Sequence, residues 1–154
     1  MGTNVFGKPM TKGNRMERAL EALNNQNADG KRNQALAYVR QVKRNWGNGA
    51  STLGIFYNAT GETMIFTQEN SWYGNIYGFY PVRVQNGQRG TFFHVKRSGV
   101  ASGSVGFVVY RVRVDTKFCN QLISWSTPWR QTRYNNQAYC DIFDDGKVDT
   151  PNEV

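Results

Sequence analysis

The hydrophobic positions change period near residue 50. Before it, Met16, Ala19, Leu20 and Leu23 recur at three- and four-residue spacing, which predicts a short helix over 15–24. The polar run Asn24-Asn25-Gln26-Asn27 ends it. Ala35, Leu36, Val39, Val42 and Trp46 form a second stripe and predict a helix over 30–45, with Asp29 as its N-cap and Gly47 as its stop. Lys31, Arg32, Arg40, Lys43 and Arg44 crowd the rest of that helix, so it reads either as packed on the domain or as a basic amphipathic surface helix. The first fourteen residues, rich in Gly, Asn and Lys, read as a loose arm.

From Leu53 the period is two. Leu53, Ile55 and Tyr57 alternate, Met64 and Phe66 follow, and 58–61 supply the turn between them. Tyr80, Val82 and Val84 lead into Asn86-Gly87, a dipeptide favoured in two-residue hairpins, so 91–95 is the expected returning strand. Residues 105–114 are apolar on both faces over much of their length and predict a central strand covered on both sides. Residues 122–125 and 139–143 supply two further strands. Short strands at this spacing predict an antiparallel β-sandwich, preceded by one or two α-helices. The expected organisation is a single domain over 1–154: a helical segment 1–48 packed on a sandwich 49–146, then an exposed acidic tail 147–154.

A chain of 154 residues is long enough for one hydrophobic core without a disulfide or metal. Aromatic residues make up 14%, which argues against disorder. No apolar run approaches the ~20 residues of a membrane span. The first thirty residues lack the apolar core of a secretory signal, so a cytoplasmic protein is expected, with peripheral membrane association open to it. The net charge of +8 is uneven: residues 1–48 hold nine basic and three acidic side chains, while 138–154 hold five acids against Lys147. Such a surface suits nucleic acid, anionic lipid or acidic glycan, with solubility as the competing explanation. Cys119 and Cys140 are expected as reduced thiols at buried strand positions. Asn58-Ala59-Thr60 fits a glycosylation sequon but reads better as a turn.

The catalytic inventory is sparse, and no enzyme is expected. The one histidine, His94, lies in an apolar strand and reads as structural. No His or Cys cluster has zinc spacing, and Asp141, Asp144 and Asp145 do not have EF-hand spacing, so neither a metal nor another cofactor is expected. Gly99, Gly103 and Gly106 lack the Lys-Ser/Thr ending of a phosphate loop and read as a tight turn into the central strand. Aromatic side chains are the better signal. Trp72, Tyr73, Tyr77, Phe79 and Tyr80 crowd one stretch; Trp125, Trp129, Tyr134 and Tyr139 crowd another. Trp125 alternates with serines and should point inward. Trp129 follows Pro128 in a loop, beside Arg130 and Arg133, where it could stack on sugars or bases or sit in a lipid interface.

Asn48-Gly49, Tyr57-Asn58-Ala59-Thr60-Gly61, Trp72-Tyr73-Gly74, Asn86-Gly87-Gln88, Ser98-Gly99-Val100-Ala101-Ser102-Gly103-Ser104 and Ser124-Trp125-Ser126-Thr127-Pro128-Trp129 resemble, in order, the plant 23 kDa jasmonate-induced protein family. That resemblance implies a jasmonate- and stress-responsive plant defence protein without a known enzymatic activity. More distantly, Val100 to Gly106 followed by a strand and Ser126-x-Pro128 is similar to the actinoporins, whose β-sandwich is shared by fungal fruit-body lectins and nakanori-like sphingomyelin-binding proteins. The actinoporin choline site maps onto Val105, Ser126, Pro128 and Tyr134. This chain departs from the pattern after the proline, with Trp129-Arg130-Gln131-Thr132 where Tyr-Asp-Tyr-Asn is usual, and Arg130 and Arg133 favour a phosphate, a sulfate or an acidic sugar. The N-terminal helices differ from a membrane-piercing helix, so no pore formation is expected.

Three readings remain open. The first is binding of a membrane lipid head group or glycan through Val105, Ser126, Pro128, Trp129, Arg130, Arg133 and Tyr134, with Trp72, Tyr73 and Tyr77 as additional aromatic surface. The second is RNA or ribosome association through the basic N-terminal helices. The third is a stress-accumulated interaction domain with no small ligand. An exposed aromatic patch would equally suit a dimer.

Overall fold

The computed structural model describes residues 4–130 and 132–144, so the expected tail at 147–154 lies outside the described residues. Helix α1 spans Arg15–Asn24 and α2 spans Lys31–Trp46. Asn14 caps α1: its side chain accepts the Glu17 N–H at 2.9 Å and its amide donates to the Glu17 carboxylate at 2.7 Å. Arg18 then fastens the helix, donating to Gly61 O at 2.7 Å and pairing with Glu62 at 2.8 Å. The docked face is therefore the one that buries Ala22, while Met16, Leu20 and Leu23 point to solvent.

Helix α2 lies along a sheet with Ala35 and Val39 buried beneath it. Trp46 meets Phe93 edge-on at 5.6 Å, and Tyr38 packs on Phe6 at 5.4 Å. Gly47 ends the helix at φ 116°, donating to Lys43 O at 3.0 Å. The N-cap is Gly30, not Asp29. Both residues have positive φ, 68° and 58°, and turn the chain out of a single 3-10 turn. Asp29 is part of that turn, so the helix starts one residue later and without a side-chain cap. Lys31 follows, buried, with its ammonium donating to Gly87 O at 2.8 Å and to the Tyr57 hydroxyl at 3.0 Å.

The strands form two antiparallel sheets. In the first, β1 (Val5–Phe6) and β2 (Ser51–Tyr57) flank β6 (Arg89–Val95), and the short β4 (Asn75–Ile76) also pairs with β6. In the second, the order is β5 (Arg83–Val84), β3 (Met64–Tyr73), β7 (Ser104–Val114), β8 (Lys117–Thr127) and β9 (Gln137–Asp144). The interior between the sheets is aromatic: Phe92 packs on Trp125 at 4.8 Å and Phe56 on Tyr110 at 5.0 Å. Gly54 is paired with Phe92 on the neighbouring strand of the same sheet, and a Cβ there would overlap that ring. β7 is central as its apolar run predicts. Val108, Tyr110 and Val112 fill the interior, while Phe107 and Val109 form a second cluster with Leu122 on the outer face.

Three further expectations are corrected. Asn86-Gly87 does not close a hairpin, because β5 belongs to one sheet and β6 to the other. The turn instead carries the chain between layers, held by the Asn86 side chain, which donates to Met10 O at 3.0 Å and Arg18 O at 2.9 Å and accepts the Gly61 N–H at 2.9 Å. The N-terminal segment is no loose arm from residue 4 onward: Val5 pairs with Gly90, and Asn4 O accepts both the N–H and the hydroxyl of Thr91. Cys140 is exposed on the edge strand β9, and Cys119 is half-buried. A thiol reagent is therefore expected to modify Cys140 well before Cys119, as peptide mapping at short reaction times would read.

Candidate functional site

The pairing of β7 with β8 sets Val105 opposite Ser126, and the pairing of β3 with β7 sets Tyr73 opposite Val105. Directly opposed residues in an antiparallel ladder share a face. Tyr73, Val105 and Ser126 thus form one row, which lies on the outer face because their neighbours Ser71, Ser104 and Thr127 turn inward to buried hydroxyl and imidazole partners. A bulge between Ser71 and Tyr73 makes this possible. The extra residue, Trp72, leaves the alternation and lays its ring on Phe107 at 5.3 Å, so two successive aromatic rings occupy the outer face.

Past Thr127 the chain leaves β8 through Pro128 into an exposed loop. Gly103 packs so closely beneath it that a Cβ would overlap Thr127 O. Trp129 is 46% exposed, enough to present one ring face, and the ammonium of Lys96 sits 5.1 Å from its ring centre. Arg130 is exposed, and its carbonyl accepts the N–H groups of Arg133 and Tyr134, which folds this stretch into a turn. Arg133 and Tyr134 are exposed there as well. Val105, Ser126, Pro128 and Trp129 therefore lie on one end of the sandwich, with Arg130, Arg133 and Tyr134 on the adjoining loop. Tyr77 lies elsewhere: its ring meets Phe93 edge-on at 5.7 Å, on the helix-covered side of the first sheet. It lines a cavity of about 60 Å³ with Tyr38, Val39, Val42 and Phe79, too small for a head group or sugar.

Beneath the row runs a buried hydroxyl chain. Thr127 Oγ1 bonds Thr52 Oγ1 at 2.8 Å, which bonds Ser104 Oγ at 2.9 Å. Ser104 Oγ lies 3.2 Å from His94 O and 2.7 Å from His94 Nδ1, and Ser71 Oγ lies 2.8 Å from Nε2. Both ring nitrogens are engaged and the ring is fully buried against Trp125, which makes His94 structural as expected. Desolvation lowers its pKa from the usual 6.5 to about 4. The chain ties Ser104 and Thr127, the immediate neighbours of Val105 and Ser126, to a rigid interior.

Sequence reasoning did not assign Lys96 to this end. The signal was the Lys96-Arg97 pair just before the glycine-rich turn, and only the fold shows that this turn lies against Pro128 and Trp129. Among the described residues, no group of three or more His, Cys, Asp or Glu side chains could hold a metal. No helix is long and apolar enough to cross a membrane, again among the described residues.

The barley (Hordeum vulgare) 23 kDa jasmonate-induced protein is 37% identical over 149 residues, covering 95% of this chain and 68% of that protein. The crystal structure of the lipid binding protein Nakanori superposes with a TM-score of 0.83 at 24% identity, covering 92% of this chain and 75% of that one. That likeness bears out the mainly-β sandwich with N-terminal helices. The family model for Nakanori-like proteins matches residues 3–147, and on that span the chain belongs to the Nakanori-like family.

Proposed function

We propose that this protein is a non-catalytic, stress-responsive plant protein that binds a membrane lipid head group at the end of the sandwich carrying Val105, Ser126, Pro128, Trp129 and Tyr134. The observation that carries the reading is the outer row Tyr73–Val105–Ser126 beside the exposed Trp129. It offers an aromatic face, an apolar wall and a hydroxyl on an open surface, the chemistry a quaternary ammonium or phosphate-bearing head group needs. An open surface rather than an enclosed pocket suits a ligand presented at a bilayer, and exposed Trp and Tyr favour the bilayer interface. The barley relative supports the link to jasmonate, and the Nakanori neighbour, a lipid binding protein, supports the ligand class.

His94 is inaccessible to a substrate, which fits a binding rather than a catalytic role. Trp129→Ala combined with Tyr134→Ala is expected to reduce vesicle co-sedimentation at least tenfold, at about 1 kcal/mol or more per ring, while the melting temperature stays within a few degrees. Unchanged sedimentation of that double variant would remove this site. A glycan is the competing ligand, and retention on a glycan array without vesicle binding would favour it.

A further inference from the structure

The acidic side chains are absent from long stretches of the chain: no Asp or Glu occurs in 30–61, 70–114 or 116–140. The fold gathers the loops of these stretches at the end that carries Trp129. Lys43 donates to Gly49 O and Ser51 Oγ, both at 2.8 Å, which brings the end of α2 against the start of β2. Gly49 packs between Trp46 and Lys96, where a Cβ would lie 3.0 Å from each. Lys96 in turn lies over Trp129. Lys43, Arg44, Lys96, Arg97, Arg130 and Arg133 therefore share one end.

Neutral groups hold three of these cations in place. Besides the contacts of Lys43, Lys96 donates to Val100 O at 3.2 Å and Arg44 to the Gln41 side chain at 2.6 Å. Their charge is oriented but not cancelled. The opposite end is mixed. Glu62 precedes β3, Asp115 turns β7 into β8 and Asp144 ends β9, interspersed with the exposed Arg83, Arg113 and Lys117. Arg18 there is paired with Glu62. The two ends thus differ in that positive charge stands without interspersed carboxylates only on the face that also exposes Trp129, Tyr134 and Tyr73.

We infer that this end selects an anionic, phosphate-bearing membrane surface over a zwitterionic one. The inference rests on the reading of the same end as a lipid face, and adds the charge of the lipid. A phosphocholine alone would need an aromatic face and a hydroxyl. It gives no reason for six cations with no carboxylate among them. Exposed indole and phenol rings among those cations match the interface of a bilayer, where rings sit at head-group depth and each Lys or Arg gains from an anionic surface.

The test uses the full chain and three vesicle preparations: phosphatidylcholine, phosphatidylcholine with sphingomyelin, and phosphatidylcholine with about one-fifth phosphatidylserine, each at about 0.05 and 0.5 M salt. Binding to the phosphatidylserine vesicles is expected to be at least tenfold tighter and to weaken strongly in high salt. Arg130→Gln with Arg133→Gln is expected to weaken it about thirtyfold. Arg113→Gln with Lys117→Gln, the same charge change on exposed positions at the far end, is expected to leave it within about twofold. Equal, salt-resistant binding to all three vesicles would overturn the charge selection and leave the head-group reading standing. Equal losses in the two double variants would overturn it by showing that net charge alone drives binding. Failure to bind any vesicle, with salt-sensitive retention on RNA, would overturn both readings.

Discussion

Acidification from neutral pH to pH about 4 is expected to remove about 3 kcal/mol of folding stability through His94 alone. The folded ring resists protonation because it is sealed from water between Trp125 and two serine hydroxyls, and its pKa lies at about 4 rather than 6.5. Between those two values the unfolded chain takes up a proton that the folded chain does not, so stability falls as pH drops through this window. Below about pH 4 both states carry the proton and the His94 contribution levels off. Urea unfolding at pH values of about 7, 5.5 and 4 measures the slope, and His94→Gln, which keeps a donor and an acceptor, should flatten it. An equally steep fall in that variant would assign the acid sensitivity to other groups.

Asn86→Ala is expected to cost about 3 kcal/mol or more. Its carboxamide satisfies the carbonyls of Met10 and Arg18 and the buried N–H of Gly61, and alanine would leave all three without that partner. A fall in melting temperature of about 10 °C is expected for a chain of this size. Asn86→Asp should be worse, since it would aim an anion at two carbonyl oxygens that now receive N–H donors. A fall of only a degree or two for either variant would mean that the N-terminal segment, α1 and the inter-sheet turn hold together without this side chain.

The same residue shows what was legible in the chain and what was not. Asn86-Gly87 is a local signal: it reports that the backbone reverses, and it does. Which sheet each flanking strand joins is decided by partners far away in sequence, Met64 for Val84 and Ser51–Tyr57 for β6. Local turn chemistry carries no information about that choice. The two helices and β7 were readable because their apolar periods run for many residues. The pairing of Val5 and Phe6 was not, since two residues have no period. Cys140 reads as buried because Tyr139, Ile142 and Phe143 surround it, yet β9 is a sheet edge, and neighbouring residue types cannot tell an edge from a centre.

The site divides in the same way. Ser126, Pro128 and Trp129 stand together in the sequence and could be picked out as a loop of unusual composition. Tyr73 enters the row only through a bulge, and Lys96 only because two loops meet in space.

The sequon at Asn58 has a consequence for anyone producing this protein in a eukaryotic secretory host. Its side chain is fully buried, with Nδ2 donating to Glu62 O and Val84 O, both at 2.7 Å, and Oδ1 accepting from Thr60. A sugar-transferring enzyme could reach that nitrogen only while the chain is unfolded, and an attached glycan would have no room in the closed turn. Any glycosylated fraction from such a host would therefore be material that never reached the native state, and its share of the yield would clock how fast residues 58–62 shut.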